Sequence, residues 1–123
     1  MDLPWLLSYA SKFLKKNLNK CGIDKSKYKI LNTDVIKGIR LLGAEEYKFD
    51  FIFIDPPYFS DFIEKAIETI SEVKIYHDDT VIIAEHHKKE KILSQIGEFE
   101  IFDERRYGPS VIKFYRSKNF RLN

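Results

Sequence analysis

An acid, two prolines and an aromatic stand side by side at Asp55-Pro56-Pro57-Tyr58, directly after a run whose apolar members are Phe49, Phe51, Ile52, Phe53 and Ile54. Each residue type suits one part of a single task. A carboxylate accepts a hydrogen bond from an exocyclic amine. A stiff Pro-Pro turn presents a backbone carbonyl, that of Pro56, to the second amine hydrogen. The face of Tyr58 suits the flat ring that carries the amine, and such stacking contributes roughly 1–3 kcal/mol per base in nucleic-acid systems. Phe59 is a second candidate for that face. With both hydrogens held, the nitrogen lone pair is aimed at an electrophilic methyl group, and positioning of this kind lowers a barrier by roughly 7–11 kcal/mol. The competing reading is structural: a strand that ends at prolines, with Asp55 capping a turn. The buried strand before the acid and the aromatic after it favour the chemical reading.

Such a site needs strands that end together. The apolar spacing of Leu6, Ala10, Phe13, Leu14 and Leu18 predicts a helix over residues 4–20, with Pro4 in its first turn, Lys12, Lys15, Lys16 and Lys20 on its other side and Gly22 after it. A strand is expected at 28–32, a helix over about 35–42 closed by Gly43, and the strongest strand at 49–54. A helix is expected from Ser60 or Asp61, where Asp61 and Glu64 resemble a capping box, with Phe62, Ile63, Ala66, Ile67, Ile70 and Val73 forming a wide apolar face. Thr80 to Ala84 reads as a buried strand running into Glu85-His86-His87. Residues 88–95 suit a short helix with Ile92 and Leu93 inward. Phe99 to Arg105 and Val111 to Arg116 read as a hairpin through Tyr107-Gly108-Pro109-Ser110.

This alternation implies an α/β fold: a mostly parallel Rossmann-like sheet with helices on both faces and a C-terminal antiparallel hairpin. Ligands of such sheets sit at the carboxyl ends of the strands. Asp34, Asp55 and Glu85 all fall at or near predicted carboxyl ends.

At 123 residues the chain holds one domain, spanning 1–123. Its 44% hydrophobic content is that of a folded protein, and a net charge of +2 neither requires nor excludes a nucleic-acid partner. Cys21 is the one cysteine and has no internal partner, which fits a reducing cytosol and helix-end packing. No apolar run reaches the roughly 18 residues that span a membrane. His86 and His87 beside Glu85 would need a third ligand to make a metal site, and only His77 is left, so no metal is expected.

The run Phe49-Asp50-Phe51-Ile52-Phe53-Ile54-Asp55-Pro56-Pro57-Tyr58 resembles the catalytic motif of class I S-adenosylmethionine-dependent methyltransferases that act on amino nitrogens. Within that group the chain most resembles the RsmD family, which methylates a guanine N2 of bacterial 16S ribosomal RNA. Lys15-Lys16-Asn17-Leu18 with Gly22, Thr33-Asp34-Val35, and Arg105-Arg106-Tyr107-Gly108-Pro109-Ser110 carry the narrower match, which covers nearly all of the chain. The resemblance implies S-adenosylmethionine as cofactor and ribosomal RNA of the small subunit as partner, in the cytoplasm. It makes Asp55, Pro56, Pro57 and Tyr58 catalytic. It places the cofactor's adenine amine on Asp34 and its ring on Val35, although Asp34 also suits the N-cap of helix 35–42. Tyr58, Phe59, Arg105, Arg106 and Tyr107 become candidates for the substrate. Lys113, Tyr115, Arg116, Lys118 and Arg121 extend that hairpin patch, which reads equally as a solvated edge.

One departure from the family pattern stands out. A complete enzyme opens with a strand and a Gly-x-Gly-like loop, then a strand ending in a ribose-binding acid. The glycines here are Gly22, Gly38, Gly43, Gly97 and Gly108, with no close pair, and the N-terminal strands are expected to be missing. Asp2 is an acid near the ribose position without a strand before it. The edge of strand 49–54 is then exposed and open to a second copy or a complementary chain. A non-catalytic RNA-binding remnant and a half-enzyme are the alternatives, and adenine N6 in DNA is the competing substrate.

Overall fold

The strand that delivers Asp55 is β3 (Phe49–Ile54), and its neighbours decide where the acid lies. The computed structural model describes residues 6–9, 28–30, 35–45, 48–56, 59 and 61–120, with side chains described from residue 36 onward. Its elements are β1 (Leu6–Tyr9), β2 (Tyr28–Ile30), α1 (Val35–Ala44), β3, α2 (Phe62–Val73), β4 (Tyr76–His87), β5 (Gln95–Ile96), β6 (Phe99–Tyr107) and β7 (Ser110–Ser117). They form a seven-stranded sheet in the order β2-β1-β3-β4-β7-β6-β5. The four strands from β2 to β4 are parallel, and β7, β6 and β5 add antiparallel pairs. This is the α/β, Rossmann-like arrangement anticipated from the sequence.

The helix expected over 4–20 is corrected at its start. Residues Leu6–Tyr9 are a strand seated between β2 and β3, with Leu6 opposite both Tyr28 and Phe51. A central strand satisfies the backbone groups of two neighbours at once, and this overrides local helical spacing. The same strand covers the edge of β3 that was expected to lie open. The lysine face, Cys21 and residues 31–34 lie outside the described residues.

The core sits between the sheet and the two described helices. Ile52 and Ile54 of β3, Ile82 and Ala84 of β4 and Tyr115 of β7 join Ile39 and Leu42 of α1 and Ile63, Ala66, Ile67 and Ile70 of α2 in one buried cluster. Each fully buried isoleucine stabilises by roughly 1.5–3 kcal/mol relative to exposure. Gly43 does not close α1 as expected; it lies within it. A Cβ there would stand 2.6 Å from the Cβ of Val73, so glycine is what lets the two helices approach. Asp61 makes no capping bond; its carboxylate pairs instead with Lys65 at 3.0 Å. The helix ends at Lys74, in the left-handed conformation, whose N–H bonds the Ile70 carbonyl.

The helix expected over 88–95 is absent. That segment is a turn followed by irregular chain, because neighbouring side chains occupy its backbone: Lys113 Nζ bonds the Ile92 carbonyl at 3.1 Å and Tyr115 Oη bonds that of Leu93 at 2.7 Å. Lys113 and Tyr115 are thereby buried on the helix-covered face, and burial lowers the lysine's proton affinity and raises the tyrosine's pKa. Tyr115 is therefore no base-stacking residue. The hairpin is longer than expected, and Gly108, at φ +56°, opens its two-residue loop ahead of Pro109, as the twist of paired strands favours.

Candidate active site at the carboxyl rim of the sheet

Register places the acids. Ile54 pairs with Ala84, so Asp55 and Glu85 follow on adjacent parallel strands, on the face opposite the helix-covered core. They touch through their carboxyl groups. Burial first, then the charge of Glu85 and the hydrogen bond between the two, push Asp55 up to about 6. A hydrogen bond between two carboxyls needs one proton, and Asp55 is the carboxyl whose proton affinity is raised. Pro56 is buried immediately beside it, while Pro57 and Tyr58 lie outside the described residues.

Phe59 is two-thirds exposed and stands at φ +62°, a conformation uncommon for an aromatic residue. Two contacts hold it. Its N–H donates to Glu90 Oε1, and its ring lies 5.0 Å from that of His87. The other oxygen of Glu90 accepts the His87 N–H at 2.7 Å. One nearly buried carboxylate thus fastens the loop after β3 to the end of β4. The sequence offered no sign of this, since Glu90 sits in a charged run and its partners are backbone groups far apart in the chain.

The same register carries the rim across to the hairpin. Glu85 lies opposite Ile112 on β7, and Ile112 lies opposite Arg105 on β6; His87 lies opposite Ser110, which lies opposite Tyr107. Directly paired residues share a face. Asp55, Glu85, His87, Arg105 and Tyr107 therefore share one face, with Arg105 roughly 10 Å from Glu85 at two strand spacings. Arg106, paired with Val111, belongs to the other face. Both arginines have acidic neighbours two residues back: Arg105 meets Asp103 and Arg106 meets Glu104, each at 3.3 Å. Lys88 N–H bonds the Pro109 carbonyl at 2.8 Å, which fixes the hairpin tip beside the rim.

His86 and His87 alternate across the sheet, and His77 stands at the opposite end of β4 against Asp50, so the histidines do not converge. The Nε2 atom of buried His86 has no hydrogen-bond partner among the described residues. Of the proposed cofactor contacts, Asp34 lies outside the described residues and Val35 is the first residue of α1, beyond the carboxyl end of β2.

Comparison with known proteins agrees with the sheet. The solved structure of a conserved hypothetical protein of Streptococcus pyogenes superimposes with a TM-score of 0.73 at 20% identity, over 95% of this chain and 73% of that one. YlbH of Bacillus subtilis is 23% identical over 109 residues, which is 89% of this chain and 59% of its own length. The ribosomal RNA small subunit methyltransferase D of Buchnera aphidicola is 30% identical over 80 residues, 65% of this chain and 40% of that protein. The chain thus spans about half the length of the last two proteins. Residues 8–116 match the family described as Conserved hypothetical protein 95, and to that family, the RsmD family, this chain belongs.

Proposed function

We propose that this chain takes part in methylation of an exocyclic amino group of a nucleobase in RNA, specifically guanine N2 of 16S ribosomal RNA in the cytoplasm, with S-adenosylmethionine as methyl donor. The observation that carries the reading is the placement of Asp55, at the carboxyl end of β3, against Glu85 on a rim shared with Phe59, Arg105 and Tyr107.

When bound, S-adenosylmethionine supplies an electrophilic methyl group that leaves sulfur for nitrogen in a direct displacement. Val35, opening α1 past the end of β2, suits the adenine ring, with Asp34 on its amino group. The chain's own work is positioning. Asp55 and the Pro56 carbonyl take the two amine hydrogens and aim the lone pair. Tyr58 and Phe59 stack on a base turned out of its helix. As nitrogen gains the methyl group it gives up a proton, and Asp55, its proton affinity raised by burial and by Glu85, is placed to receive it.

Calorimetric titration with S-adenosylmethionine, beside mass in solution and methyl incorporation into unmodified small-subunit RNA and into DNA, tests the reading. Binding with incorporation into RNA guanine is the expected result. Incorporation at DNA adenine would replace the substrate. RNA binding without cofactor binding would make the chain a non-catalytic remnant, and a folded chain that binds neither would make it half of an enzyme.

A further inference from the structure

Glu85 lies outside the Asp-Pro-Pro-Tyr motif, yet register sets it beside Asp55, one strand spacing away and on the same face. We infer that Glu85 is the residue that specifies guanine, by accepting the ring N1–H while Asp55 and Pro56 hold the neighbouring amine. The inference rests on the reading of Asp55 given above and adds what that motif alone does not decide.

The argument is one of donors and acceptors. Beside its exocyclic N2 amine guanine carries N1–H, a donor. Beside its N6 amine adenine carries N1, an acceptor. An acid and a carbonyl satisfy either amine equally, so discrimination needs a group facing the ring nitrogen. Ionised carboxylates only accept. Two of them side by side, each freed of the shared proton, present two acceptors to guanine's two adjacent donors. The same pair opposes the lone pair of adenine N1 with negative charge. A site that bonds a group in this way rejects analogues that lack it far more strongly than an apolar pocket does, because its own polar atoms are left unpaired. A guanine edge also relieves the pair, since two carboxylates held together by one proton exchange that single bond for two charge-assisted ones.

The discriminating probe is 2-aminopurine, which keeps the N2 amine and has a bare N1 acceptor. Methyl transfer from S-adenosylmethionine would be measured with the full chain on synthetic RNAs bearing one unpaired guanine, or 2-aminopurine in its place. The wild-type chain should favour guanine by roughly 10- to 100-fold in kcat/KM, the range of one charged hydrogen bond. In Glu85→Gln the amide can donate to the bare N1, so the ratio should fall below about threefold. The substitution is near-isosteric and removes a like charge, so a melting temperature at or above wild type should accompany it. A preference for guanine that Glu85→Gln leaves unchanged overturns the inference and spares the reading of Asp55. Methylation of neither RNA by the wild-type chain, followed by none on natural ribosomal RNA, overturns the reading itself and the inference with it.

Discussion

The two ends of strands β3 and β4 solve the same problem in opposite ways. At the amino end no buried side-chain polar atom among the described residues lacks a partner. His77 Nε2 meets Asp50 Oδ1 at 2.5 Å, and the fully buried Thr80 donates to the Phe49 carbonyl at 2.6 Å while accepting the His77 N–H at 3.0 Å. These contacts hold a bulge: from Phe49–Tyr76 to Phe51–Val81 β3 advances two residues and β4 five. At the carboxyl end the pattern reverses. Two acids stand side by side, a buried imidazole nitrogen has no partner among the described residues and an aromatic residue sits at positive φ. Unfavourable local arrangements that a fold tolerates at one end of a sheet are where a site is sought, and they fit the rim proposed above.

The sharpest way to break this contrast is to remove Asp55. Asp55→Ala should lower methyl transfer by at least roughly 10²–10³-fold, the range for deleting one group that positions or stabilises a reacting centre. The melting temperature should stay level or rise, because a buried, repelled carboxylate disappears. Retained activity in that variant would sink the mechanism.

The mirror experiment lies at the other end. Thr80→Val removes the hydroxyl that bonds both the Phe49 carbonyl and the His77 N–H and should destabilise by about 1–3 kcal/mol. Tm should drop on the order of 5–10 °C. At temperatures where the variant is folded, kcat should be unchanged. Loss of activity ahead of stability would erase the distinction between the two ends.

Acidity sharpens it further. Asp55 moves from an ordinary value of 3.8 to about 6, so between those pH values the folded chain keeps a proton that the unfolded chain has released. Stability contributed by this group therefore falls as pH rises through that window. Activity should run the other way, decreasing about tenfold per pH unit below 6 as the acceptor is lost. In Glu85→Gln the acidic limb should move to lower pH, without returning to 3.8, because burial remains the larger cause.

A smaller effect is expected at Glu90. Glu90→Ala removes the carboxylate that accepts from both the Phe59 and the His87 N–H, so the loop after β3 loses this anchor. KM for RNA should rise about fivefold, equivalent to ~1 kcal/mol of stacking. Glu90→Gln keeps an acceptor and should recover part of the loss. An equal fall in kcat with KM unchanged would place Glu90 in the chemistry instead of in base binding.

The sequence made some of this legible and hid the rest for definite reasons. β3, β4, α2 and the hairpin carry clear periods, with two prolines after β3 and a glycine–proline turn in the hairpin, and the structure matches them within a few residues. β1 was hidden because its four residues also fit helical spacing, and only pairing on both sides selects a strand. The helix read at 88–95 failed because its backbone bonds to side chains from β7 and α2, which no local pattern reveals. Asp55 was plain from its motif. Glu85 was visible as an acid at a strand end, but its meeting with Asp55 depends on register. Glu90 was invisible, since its role lies in backbone groups at positions 59 and 87.

Register also separates two arginines that adjacency in sequence made equivalent. Arg105 shares the rim's face with Glu85, whereas Arg106 points to the helix-covered side, and an acid two residues back partly neutralises each. A cation on the RNA side should still supply one phosphate contact after exchanging its carboxylate for phosphate. Arg105→Ala should therefore weaken RNA binding about two- to fivefold and reduce the salt slope by about one. Arg106→Ala should change affinity by less than about twofold with the slope intact, because nothing on its side of the sheet belongs to the rim. Equal losses from both would mean that RNA wraps the hairpin edge and meets both faces, and the division of labour between faces would have to be given up.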